Sequence, residues 1–183
     1  MRIVKIILSA AVVFCLASCG NDEPAQHGSK AIPRETFIAQ IRQYEAQMHK
    51  SMTLDPVLGM IAVKGYSDFA KLFPNDSLTP DFLFKAGEIS TACQQYPQAL
   101  MYYKEVYEKH PNFKLAPESL YLQGYLLDNF LNEDAKAKVI YEQVIVKYPN
   151  LPYAENARAA INNLGKSDEE LIKEFKKKNK LNS

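Results

Sequence analysis

The sequence predicts an all-α fold, a solenoid of antiparallel helix hairpins finished by a C-terminal capping helix. Three observations carry that reading. Pro74, Pro111 and Pro149 recur 37 and 38 residues apart, and Asn follows each of them. Upstream of each proline the same columns return: Ala62, Ala99 and Ala137 at minus twelve, Tyr66, Tyr103 and Tyr141 at minus eight, Phe69, Val106 and Val144 at minus five. Self-similarity at such a period marks stacked supersecondary units. Finally, only 7 Gly stand against 10 spaced Pro among 183 residues, which suits helices separated by breaks.

The elements follow in order. Phe37, Ile41, Tyr44 and Met48 step by four, three and four, so the spacing predicts a helix over 35–50. Asp55 then Pro56 is an N-cap followed by proline at the first helical position, opening a helix that runs to Phe73. Further helices are expected near 80–93, 97–110, 117–131, 134–148 and 153–163, with Pro80, Pro117 and Pro152 in first turns and Pro111 stopping a helix. Ser167-Asp168-Glu169-Glu170 reads as a capping box opening a last helix, with Leu171, Ile172 and Phe175 on one side. That helix is expected to cap the stack with a polar outer face. Gly87 and Ala99 remove bulk where two helices of a hairpin come close, and Tyr103 is expected to fill space toward the next unit. The units lie at about 54–74, 80–111 and 117–149, with the cap at 152–178.

Residues 1–18 read as a signal segment, with Arg2 and Lys5 ahead of an apolar run from Ile6 to Leu16. Residues 19–33 form a polar tether, and 34–183 form the helical domain. Leu16-Ala17-Ser18-Cys19-Gly20 resembles a bacterial lipobox. That resemblance implies cleavage before Cys19, acylation of its thiol and amino group, and attachment to a membrane. An ordinary secretory signal is the alternative. With Cys15 removed and Cys19 capped, Cys93 is the remaining thiol, expected as a small packed residue. Asp22-Glu23 resembles the acidic pair behind the cysteine of surface-exported lipoproteins of Bacteroidota.

The repeat itself, with Leu83-x-x-Ala86-Gly87 and Leu120-x-x-Gln123-Gly124 upstream of Ala99-x-x-x-Tyr103 and the closing prolines, resembles the tetratricopeptide repeat (TPR) over about residues 54–165. The units are longer than that family's usual ~34 residues. The extra residues fall between units, as in bacterial envelope TPR lipoproteins. Among those, the chain is similar to the TPR lipoprotein of the outer-membrane β-barrel assembly machinery and to the TPR coordinator of the Tol-Pal system. It is shorter than the first and lacks the second's N-terminal coiled coil.

In such folds the first helix of each unit lines a concave face. With Gly87 and Gly124 at position eight, positions five and nine are Phe84 and Glu88, then Tyr121 and Tyr125. A further 37 residues on stand Arg158 and Asn162. The resemblance implies a binding groove of these six residues, suited to an apolar peptide, another helix or a sugar face. The family's Lys/Asn clamp for peptide carboxylates is absent. Phe and Tyr at helical spacing fit interior packing equally well, and solvent exposure decides between the two.

No catalytic constellation, metal-ligand spacing or phosphate-cradling loop is present in the pattern, so no enzymatic activity and no cofactor or metal is expected. His27 lies in the tether and His49 ends the first helix. His110, at a helix C-terminus, is expected to favour the helix dipole. With 22 basic and 21 acidic residues, the chain lacks the basic excess of a nucleic-acid binder. Asp76-Ser77-Leu78 resembles the O-glycosylation acceptor of Bacteroidota envelope proteins, making Ser77 a candidate site. Expected partners are envelope proteins at the concave face and a membrane through the N-terminal lipid. The expected location is the bacterial outer membrane, on its periplasmic or surface side. A surface lipoprotein binding a peptide or glycan is the alternative.

Overall fold

The computed structural model describes residues 32–48, 50 and 53–180. The signal segment 1–18, Cys19, the tether up to Ala31, His27 and His49 lie outside the described residues. Among the described residues all regular structure is helical: α1 Arg34–Met48, α2 Pro56–Leu72, α3 Thr79–Ala92, α4 Tyr96–Lys109, α5 Ala116–Asn129, α6 Asp134–Lys147, α7 Pro152–Asn163 and α8 Asp168–Lys180. Each helix from α1 to α6 packs on the next, so the chain winds as successive hairpins. None is long and apolar enough to cross a membrane.

The prolines set the boundaries through backbone sterics. A residue before proline is pushed out of the α region. Phe73, His110 and Tyr148 accordingly end α2, α4 and α6 with nearly the same dihedrals, φ −128 to −131° and ψ 50 to 58°. Each then accepts from the residue three further on: Asp76 N to Phe73 O, Phe113 N to His110 O, and Leu151 N to Tyr148 O, at 2.9–3.1 Å. At the start of α2, Asp55 Oδ1 accepts from Val57 N at 2.8 Å. Reciprocal bonds join Ser167 and Glu170 at the start of α8, where Ser167 N donates to Glu170 Oε2 and Glu170 N donates to Ser167 Oγ.

The core follows the hairpins as two clusters of buried apolar residues. One cluster gathers Phe37, Ile41, Val63, Tyr66, Phe69, Phe82, Leu83, Tyr103 and Val106; a second gathers Leu120, Leu127, Ala137, Tyr141, Val144 and Ala157. The repeat columns Ala62/99/137, Tyr66/103/141 and Phe69/Val106/Val144 are all buried.

Gly87 and Gly124 explain the tight approach inside two hairpins. A Cβ at Gly87 would stand 2.6 Å from Tyr103 Cε1, and one at Gly124 would stand 2.7 Å from Tyr141 Cε1. The repeat tyrosine therefore fills the notch of its own hairpin, instead of reaching toward the following unit as expected from the pattern. Cys93 is partly buried, with its Sγ 3.0 Å from where a Gly59 Cβ would be, and it tightens the α2–α3 contact in the same way.

Two features depart from the sequence reading. The helix that closes the stack is α7, which packs on α6 and α5 and turns Glu155, Arg158 and Asn162 outward. Among the described residues no helix packs along α8, whose Ile172 and Phe175 stay open to solvent. The second departure is a clasp: Arg34 grips Asp76 with two nitrogens, Nη2 to Oδ1 at 3.0 Å, while Oδ1 also accepts from Leu78 N. Asp76 thereby ties the first turn of α1 to the α2–α3 turn, with its carboxyl held below the usual range chiefly by the Arg34 hydrogen bond.

Filling a notch tests this packing. Gly87→Ala is expected to cost about 1–3 kcal/mol, the range for overpacking a dense core. In a double-mutant cycle, Tyr103→Val should recover part of that loss, because the shorter side chain vacates the Cβ position. Urea unfolding of the four proteins measures both effects.

Candidate functional site

The repeat tyrosines also build the floor of the open face. Tyr66, Tyr103 and Tyr141 rise from α2, α4 and α6 and bring their hydroxyls to the preceding helix, Tyr103 and Tyr141 across a glycine notch. Tyr66 donates to Glu45 Oε1 at 2.8 Å, Tyr141 donates to Asp128 Oδ2 at 3.2 Å, and Tyr103 lies against Thr91. Burial, first of all, pushes all three phenols up, Tyr103 to about 12. A fourth tyrosine, Tyr153 of α7, donates to Glu118 Oε2 at 2.9 Å and is pushed up to about 12 by burial and that bond.

Two clefts open along this face. One, of about 770 Å³, lies between α5 and α7 and is walled by Tyr121, Tyr125, Asp128 and Asn129 with Asn156, Ala159 and Asn163 opposite. Tyr121 stacks on Tyr153 with ring centroids 5.8 Å apart, and Tyr125 meets Phe130 edge-on at 5.7 Å. The other, of about 410 Å³, is bounded by Glu45, Tyr66, Lys85 and Glu88. There Lys85 Nζ bridges Glu45 at 3.0 Å and Asp81 at 3.2 Å.

The face is predominantly anionic. Partial burial raises the Glu88 carboxyl, helped by Glu118 and Asp81 nearby. Burial likewise raises Asp128, and the Tyr141 hydrogen bond opposes the shift. Carboxylates in such surroundings attract a partner's donors and cations more strongly than fully hydrated ones, since fewer waters compete.

The six groove residues inferred from sequence do not assemble as one ladder. Tyr121 is half-buried and Tyr125 is 37% exposed, and both wall the larger cleft. Glu88 lines the smaller one. Phe84 is only 6% exposed and packs edge-to-face on Tyr103 at 5.5 Å, so it belongs to the core. Arg158 and Asn162 face solvent outside the cleft, whose α7 wall is Asn156, Ala159, Ala160 and Asn163. The cause is loop length. The closing proline and the next helix-start proline are six residues apart in Pro74/Pro80 and Pro111/Pro117 but three apart in Pro149/Pro152. Because Pro111 and Pro149 are 38 apart, the start prolines step by 37 from Pro80 to Pro117 but by 35 from Pro117 to Pro152, and two missing residues turn the helical register by about 200°, enough to move a chosen position off the groove. Those proline spacings were the available signal for Asn156 (121 plus 35) and Ala160 (125 plus 35).

The remaining expectations sort simply. Ser77 is exposed on the α2–α3 turn beside Asp76, whose carboxyl is engaged by Arg34. Burial lowers the His110 pKa, which keeps the imidazole neutral at pH 7; the expected favourable charge at the helix end is therefore missing. No group of three metal-ligating side chains occurs among the described residues.

A raised carboxyl pKa means the folded state holds its proton more tightly than the unfolded chain. Stability from Glu88 thus falls as pH climbs through the raised value. Glu88→Gln should unfold at higher urea than the parent at pH 7, and the difference should fade in acid where both states are protonated. Paired urea titrations at the two pH values measure this.

No curated protein matches the chain. The tetratricopeptide repeat family matches residues 81–112 and 118–151. The second match ends at Leu151, just before α7 begins at Pro152. Two successive hairpins of this chain, α3–α4 and α5–α6, thus match the tetratricopeptide repeat, and they sit in a TPR-like helical solenoid.

Proposed function

We propose that this chain is a protein-interaction scaffold of the Gram-negative cell envelope, anchored by lipid at Cys19, whose concave face captures an extended segment of a partner protein. The observation that carries the capture is the α5–α7 cleft. Its tyrosine wall offers apolar contact to side chains, and Asn129, Asn156 and Asn163 offer paired donors and acceptors to a peptide backbone. The repeat family supports a scaffold, because tetratricopeptide units join proteins together. The Leu16-Ala17-Ser18-Cys19 string and its upstream basic and apolar segments support the anchor. Outer-membrane biogenesis is the proposed setting, by likeness to the TPR lipoproteins of envelope assembly.

A second reading rests on the same wall. Tyr121 and Tyr125 rimmed by amides also suit the apolar face of a sugar ring. Calorimetry with oligosaccharide distinguishes it from peptide capture.

Two measurements test the proposal. A photo-crosslinking residue at Tyr125 should trap a discrete envelope protein in the native host, whereas one at Met101, exposed on the outer surface, should not. Equal adducts from both positions, or none from Tyr125, would remove the groove from the account. Separately, Cys19→Ser should abolish the acyl mass and release the chain from the membrane fraction. Retention of either property rules out the anchor.

A further inference from the structure

The α5–α7 cleft holds two carboxylates that no cation of the described residues neutralises. Asp128, near the end of α5, and Asp134, the first residue of α6, both line it. Asp128 Oδ2 accepts from the Tyr141 hydroxyl. Its carboxyl is raised chiefly by burial, lowered in part by that bond, and raised again by the Asp134 charge. Asp134 Oδ2 stands 3.6 Å from where a Gly165 Cβ would be, at the far end of the cleft. Among the described residues neither acid has an ion-pair partner, and the lysine that lines the cleft, Lys166, is held by Glu174 at 2.8 Å.

Aromatic rings stand beside these acids. Tyr121, Tyr125 and Asp128 step by four and three along α5, so two rings and a carboxylate share one strip of that helix. α5 and α7 both end at this part of the cleft, at Asn129 and Asn163, and turn the negative ends of their dipoles to it. α6 begins there with the opposite sign, which Asp134 in its first turn offsets. The bias continues beyond the cleft. α3 and α5 hold Asp81, Glu88, Glu118 and Asp128 against Lys85 alone, whereas α4 and α6 hold five lysines against four acids. A concave face lined by one sign concentrates the field of that sign.

Tyrosine walls and a half-desolvated acid pair together select one class of side chain. Its stem must be long and apolar enough to lie on the rings, and its end must be positive, as in lysine and arginine. An uncharged side chain would leave Asp128 and Asp134 facing each other without a counter-charge. We propose that the segment captured at the concave face is basic, with one Lys or Arg side chain lying across Tyr121 and Tyr125 and its cationic head between Asp128 and Asp134. This inference rests on the reading of the cleft as a site of peptide capture and adds the chemistry of the partner to it.

A random-peptide library displayed on phage is selected against the full chain, and the most enriched peptide is made synthetically for calorimetry. The retained peptides are expected to share a Lys or Arg at one position. Changing that residue to Gln should weaken binding about tenfold, as loss of a charge-assisted hydrogen bond does. Asp128→Asn with Asp134→Asn in the chain should weaken it as much, and combining the two changes should cost little more than either alone. Glu108→Gln with Glu142→Gln removes the same charge from exposed positions of α4 and α6 and should leave binding unchanged. Far-UV circular dichroism confirms that the helices of each variant are formed. Retained peptides that lack basic residues, yet are released by Tyr125→Ala, overturn this inference and leave peptide capture standing. Basic peptides that bind the Asp128→Asn, Asp134→Asn chain as tightly as the parent also overturn it. Retention of no peptide overturns both readings.

Discussion

The structure turns on a missing methyl group. At Gly87 and Gly124 the absence of a Cβ lets a tyrosine ring lie against the backbone of the facing helix, closer than a side chain would allow. Dense interiors transmit such a contact, because there is no free volume to absorb a shift. The ring spans the hairpin from core to open face, so one residue sets the helix spacing and also presents its hydroxyl to Thr91 or Asp128. Packing and recognition surface are consequently coupled through Tyr103 and Tyr141. The first hairpin departs from the pattern, since Tyr66 meets Glu45 and no glycine notch receives it.

Local chemistry made most of the architecture legible. Proline constrains its own φ and its neighbour's conformation, so Pro74, Pro111 and Pro149 mark helix ends with little dependence on distant context. The three closing turns are near copies for that reason. The capping box at Ser167 and the Asp55 N-cap are likewise short-range arrangements and could be read directly.

The candidate site was legible only in part. Its residues depend on which way a helix is rotated, and rotation accumulates every insertion or deletion upstream. Carrying a 37-residue step onto α7 picked Arg158 and Asn162, although the shorter Pro149–Pro152 link had already changed the phase. Phe84 shows a different limit. Its position in the repeat matches Tyr121, yet it sits between two complete hairpins and is enclosed, whereas Tyr121 stands beside the smaller residues of α7. The Arg34–Asp76 clasp spans 42 residues and has no periodic signature, so no pattern in the chain announced it. The fate of α8 was hidden for a related reason: amphipathicity identifies an apolar edge but not the surface that covers it.

The same clasp has a mechanical meaning. Arg34 opens α1, so a pull on that helix from its N-terminal end is first felt in its opening turn. With the guanidinium holding the α2–α3 turn by two prongs, the load is shared with the neighbouring hairpin, and peeling of α1 from Phe37 onward is resisted at the point where it would begin. Such a pull strains this pair before it strains the stack.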